Sequence, residues 1–70
     1  MNRTRVKSSN IRSVGYDPNS NILEVEFSHG GIYQYINVPE SIFREFLTTP
    51  SKGKFHSKNI KGHYSFRKIK

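Results

Sequence analysis

The sequence predicts an α+β domain: a three-stranded antiparallel meander covered by one amphipathic helix, then a short second helix and a possible C-terminal strand. Three observations point there. Leu23-Glu24-Val25-Glu26-Phe27 alternates strictly between apolar and polar residues, the period of a half-buried strand, and turn-forming clusters flank it. Ile42, Phe43, Phe46 and Leu47 recur at i, i+1, i+4 and i+5, which lays one apolar stripe along a helix. Seventy residues leave room for one core only, and the 33% apolar content must build it with help from five Phe and four Tyr.

Residues 1–9 are polar and basic without periodicity and read as a flexible basic arm, so the single domain is expected to span residues 10–70. Ile11, Val14 and Tyr16 mark the first strand, with Gly15 as a position for a bulge. Asp17-Pro18-Asn19-Ser20-Asn21 is a turn cluster, because proline presets φ and Asn or Asp tolerates the left-handed region. The alternating strand follows. Ser28-His29-Gly30-Gly31 then reverses the chain into Ile32–Val38, rich in β-branched and aromatic residues.

Loop length decides where Tyr33 and Tyr35 point, since a one-residue slip flips every side chain. A two-residue His29-Gly30 loop pairs Phe27 with Ile32 and sets both tyrosines beside Glu24 and Glu26. A three-residue loop with Gly30 left-handed pairs Val25 with Tyr33 and Leu23 with Tyr35. The second is favoured as a common hairpin solution that also lays Gln34 opposite Glu24.

Pro39 suits the first turn of a helix over about residues 39–48, and Pro50 ends it by disfavouring α geometry at Thr49. Ser51 can cap a second helix running to roughly Asn59, anchored by Phe55 and Ile60 and weakened by Gly53. Gly62 stops it, and Tyr64–Ile69 reads as a strand or extended tail. If extended, it turns Arg67 and Ile69 one way and Tyr64, Phe66 and Lys68 the other.

Taken in order, Ser8-Ser9-Asn10-Ile11, Gly15-Tyr16-Asp17, Leu23-x-Val25-x-Phe27, Tyr33-Gln34-Tyr35, Val38-Pro39, Ser51-x-Gly53 and Phe55…Ile60 resemble the KTSC domain. That small bacterial domain occurs alone and at the C-terminus of some lysyl-tRNA synthetases, and Tyr-x-Tyr is its central mark. The resemblance covers about residues 8–69. It departs near Thr48–Thr49, where a small apolar residue would be expected. It implies no established activity, only a suggested link to RNA through the attached synthetase.

Charge carries the functional expectation. Residues 1–12 sum to +4, residues 13–45 to −4 and residues 46–70 to +7, and no carboxylate follows Glu45. Segregation of this kind raises self-repulsion, which a polyanionic partner relieves. Lysines and arginines neutralise phosphates, and interleaved aromatics stack on unpaired bases. The expected site is therefore Lys52, Lys54, Lys58, Lys61, Arg67, Lys68, Tyr33, Tyr35 and Tyr64, binding nucleic acid, with RNA preferred. As a regular helix, the second helix would place Lys54, Lys58 and Lys61 on one face with Lys52 nearby. Two readings of Tyr33 and Tyr35 stand side by side: a stacking pair on an open sheet, or core residues, which the favoured hairpin register supports. Phe43, Phe46, Leu47, Leu23, Val25 and Phe27 are expected in the core.

The competing partner is an acidic protein surface, which the same charge would suit. Membrane binding is not expected, because no Lys-rich helix with a broad apolar face is evident. The serines near His56 and His63 have no neighbouring carboxylate to complete a nucleophile–base–orienter set, so no enzyme is expected. With no cysteine, those two histidines, both expected to be exposed, lack ligands to complete a metal site. No cofactor is expected either. The N-terminus lacks the apolar core of a secretory signal, and no apolar run approaches the roughly 20 residues of a spanning helix, so the protein is expected in the cytoplasm.

Overall fold

The computed structural model describes all residues from Met1 to Lys70. The predicted meander is present as β2 (Ile11–Asp17), β3 (Ile22–Phe27) and β4 (Ile32–Tyr35), but the sheet has five antiparallel strands. β1 (Arg3–Arg5) adds to one edge and β5 (Phe66–Lys68) to the other, so the strands lie side by side in chain order. α1 (Glu40–Thr48) and α2 (Lys52–Phe55) lie between β4 and β5 in sequence, and α2 runs straight into a π-helical turn, His56–Ile60.

The hairpin register is the one its loop chemistry favours. Leu23 faces Tyr35, Glu24 faces Gln34 and Val25 faces Tyr33, around a Ser28-His29-Gly30 loop in which Gly30 has φ +103°. Asn21 closes the preceding turn at φ +56°, as the turn cluster anticipates. The bulge lies between Ile11 and Ser13 rather than at Gly15. That extra residue explains the odd spacing of the first strand, because it lets both Ile11 and Val14 reach the core.

The arm expected over residues 1–9 contains β1, with Arg3, Thr4 and Arg5 facing Gly15, Val14 and Ser13. Gly15 serves this contact: a Cβ there would stand 2.6 Å from the Asn2 carbonyl oxygen. On the sheet face turned away from the helices, Arg3 and Gln34 (2.8 Å) both donate to the Glu24 carboxylate. Glu24 is only 6% exposed, and a carboxylate that far from water needs such partners. Ser13 Oγ accepts from Arg3 Nε at 3.1 Å and donates to Glu26 at 2.8 Å. Arg67 donates to Gln34 Oε1 at 3.2 and 3.3 Å. Hydrogen bonds thus cross all five strands.

The other face carries the core, formed by Ile11, Val14, Leu23, Val25 and Tyr35 with Val38, Phe46 and Ile60. Phe46 is fully buried and stacks on Phe55 at 5.4 Å, while Phe43 stacks on Tyr16 at 5.2 Å. Truncating Phe46 to Ala would cost about 3–5 kcal/mol. Leu47, expected in the core, is 37% exposed, because it lies at the outer margin of the apolar stripe. Behind α1, Lys52 Nζ donates to the carbonyls of Leu47 (3.1 Å) and Thr49 (2.6 Å), groups a helix end leaves without intrahelical partners.

Candidate nucleic-acid interface

Where the first residues of the second helix meet the chain entering β2, they form an open groove of about 540 Å³. Lys7 with Ser8, Ser9 and Asn10 makes one wall; Lys52, Lys54, Ser57 and Lys58 make the other. The walls come close because residue 53 is glycine: a Cβ there would lie 3.2 Å from the Asn10 side-chain nitrogen Nδ2. Ser8 Oγ accepts the backbone N–H groups of Asn10 and Ile11, both at 3.3 Å, which holds that wall in place. No carboxylate lines the groove, Pro50 is its one apolar side chain, and none of its lysines is ion-paired. Lys7, Lys54 and Lys58 are exposed; Lys52 is committed to the end of α1.

A second concavity, about 300 Å³, lies at the edge of the helix-covered sheet face. Phe27, Tyr33 and Phe66 are its aromatic walls, Tyr35 and His56 its buried base, and Lys61 with Gly62 its rim. Phe27 stacks on His29 at 5.5 Å and meets Tyr33 edge-on at 5.5 Å. The Tyr35 hydroxyl and His56 Nε2 share a hydrogen bond of 2.7 Å. Burial pushes the Tyr35 phenol up to about 12, with Tyr33 adding to the shift, and burial beside Lys61 holds the His56 imidazolium below its ordinary range. Both partners are therefore neutral at pH 7. His56, expected on the surface, is 9% exposed; His63 is exposed.

The nine residues expected to form one site are distributed over four places. Lys52, Lys54 and Lys58 line the groove. Lys61, Tyr33 and Tyr35 belong to the aromatic concavity, which Lys68 borders by pairing with Tyr33; Tyr64 is half-buried against the core. Arg67 lies on the opposite sheet face with Gln34. Lys61 parts from Lys54 and Lys58 because the chain after Phe55 winds with i→i+5 bonds, the Lys61 N–H donating to the His56 carbonyl at 2.8 Å. Tyr35 is too deeply buried, at 4% exposure, to act as a stacking platform. Sequence reading missed Lys7, Ser8, Ser9, Asn10 and Ser57. The signal was the Ser-Ser-Asn run just ahead of Ile11, which gains meaning only once Gly53 packs beside it.

Comparison with other proteins brings in relatives. The family model described as KTSC domain matches residues 7–64. The chain is 41% identical to an uncharacterized protein of Stutzerimonas stutzeri (strain A1501), across 99% of both chains. It is 35% identical to a segment of the lysine–tRNA ligase of Nostoc sp. (strain PCC 7120), where 90% of this chain matches 11% of the ligase. The crystal structure of a KTSC domain protein from Yersinia pestis superposes with a TM-score of 0.93 at 44% identity, covering 99% of this chain and 97% of that one.

Proposed function

The chain belongs to the KTSC domain family, and we propose that this domain is a non-catalytic module that binds RNA through the lysine groove. The observation that carries the reading is the groove itself: exposed lysines with serine and asparagine side chains between them, and no carboxylate in its walls. Cations in such a setting neutralise backbone phosphates, while hydroxyls and amides hydrogen-bond phosphate and sugar. The chain's +7 net charge favours encounter with any polyanion. RNA is preferred over DNA because a relative aligned with 90% of this chain is a segment of a protein named for acting on tRNA. In this reading the protein works in the cytoplasm.

The test is fluorescence anisotropy with labelled tRNA, single-stranded RNA and duplex DNA across a salt series. Three free lysines contribute a slope of about −2 in log K against log salt on single strands, at about 0.7 per phosphate contact. Affinity for single strands should then drop roughly twentyfold between 50 and 200 mM salt. Absence of binding to all three at low salt would refute the proposal.

A further inference from the structure

We propose that the aromatic concavity beside the π-helical turn receives one unstacked base of a single-stranded nucleic acid, with Lys61 at the adjoining phosphate. It is a different site from the lysine groove, and the choice of a nucleic-acid base rests on the polyanion reading of that groove. Its own walls supply the rest of the argument. Phe27, Tyr33 and Phe66 present ring faces and edges, the surfaces that accept a flat heteroaromatic ring. Phe66 is 57% exposed, too open for a core residue, although β5 holds it opposite the buried Tyr35. A ring laid against it gains contact with little rearrangement of the core.

Charge selects among flat or apolar occupants. No carboxylate lines the concavity, and Lys61 stands at its rim. An alkylated ammonium, which aromatic walls otherwise suit, would meet a like charge there. A ring tethered to a phosphate meets an opposite one. The hydrogen-bonded Tyr35–His56 pair closes the base of the concavity. The volume, about 300 Å³, is at the small end of ligand sites and fits one ring better than an extended ligand. The π-helical winding is the local feature that builds the site, turning His56 inward and Lys61 to the rim, and π turns occur often at functional sites.

The test is two-dimensional NMR on the full chain, with adenosine and uridine monophosphates as probes and ribose 5-phosphate as control. Either nucleotide should shift the aromatic signals of Phe66, Tyr33 and Phe27, and the sugar phosphate should not. Phe66→Ala should weaken nucleotide binding about tenfold, the order expected for one lost stacking contact. Lys61→Glu, a change on an exposed residue, should weaken the nucleotide but leave adenosine unchanged. A single-stranded oligonucleotide should move the same signals where its duplex does not. The proposal is overturned if the nucleotides leave these signals in place, if Phe66→Ala binds as well as the parent, or if tetramethylammonium fills the site instead. Failure of the groove looks different: nucleotides would still shift the pocket signals while Lys54→Ala/Lys58→Ala left RNA affinity unchanged.

Discussion

Changing Tyr35 to Phe removes one oxygen and no carbon, so it isolates the polar contact at the centre of the domain. Tyr35 is 4% and His56 9% exposed, and their hydrogen bond is 2.7 Å long. The ring of Phe fills the same space, so the cavity contribution is small. What remains is a buried imidazole nitrogen without its partner, which costs about 1–3 kcal/mol. Taking about 2 kcal/mol, Tm should fall by roughly 8–16 °C in a domain of this size. Urea unfolding followed by circular dichroism measures the loss, with an unchanged m-value as the sign that the fold is otherwise intact. A second substitution, His56→Leu, removes the orphaned group, so the double variant should lose less than the sum of the two single losses. A Tyr35→Phe protein within 0.5 kcal/mol of the parent, or strictly additive losses, would refute the reasoning.

The same pair sets a pH profile. His56 is held below its ordinary 6.5, so the unfolded chain binds its proton first and stability falls as pH drops below 6.5. Tyr35 is raised from 10.0 to about 12, so stability also falls as pH climbs from 10 toward 12. Urea midpoints at pH 5.5, 8 and 11 should show the plateau, and neither decline should persist in full in the double variant. Gly15→Ala should push β1 from the sheet, since the new Cβ would meet the Asn2 carbonyl oxygen at 2.6 Å. Hydrogen exchange would then lose protection at Val6 while β3 keeps its own; unchanged protection at Val6 would contradict the placement of β1. Lys52→Met removes the cation serving the Leu47 and Thr49 carbonyls and should cost about 1 kcal/mol of stability. Lys54→Met should cost almost none, and equal losses from the two would contradict the assignment.

Local chemistry made the central hairpin and the first helix legible. A turn ending in a glycine suited to positive φ specifies the loop length, and loop length specifies which strand residues face each other. Pro39 and Pro50 bracket an apolar stripe, and α1 fills the interval. What escaped depends on contacts distant in sequence. Arg-Thr-Arg has no apolar alternation, and it becomes a strand because Gly15 leaves room for it and Glu24 requires a cation. His56 is a polar residue whose burial is compensated by a tyrosine 21 positions away. The π winding that separates Lys61 from Lys54 and Lys58 has no marker in the run His56–Ile60. The candidate site was therefore legible as a charge inventory but not as a shape: the C-terminal lysines were visible, whereas the part played by Lys7 and their division between a groove and an aromatic concavity were not.

The central claim is that the groove lysines meet phosphate, and the salt slope of RNA binding with and without them tests it most directly. Lys54→Ala/Lys58→Ala removes two exposed cations without touching the core, and should flatten the slope of log K against log salt on single-stranded RNA by about 1.4. A variant that binds RNA with the parent's slope and affinity would place the phosphate contacts elsewhere and contradict the account.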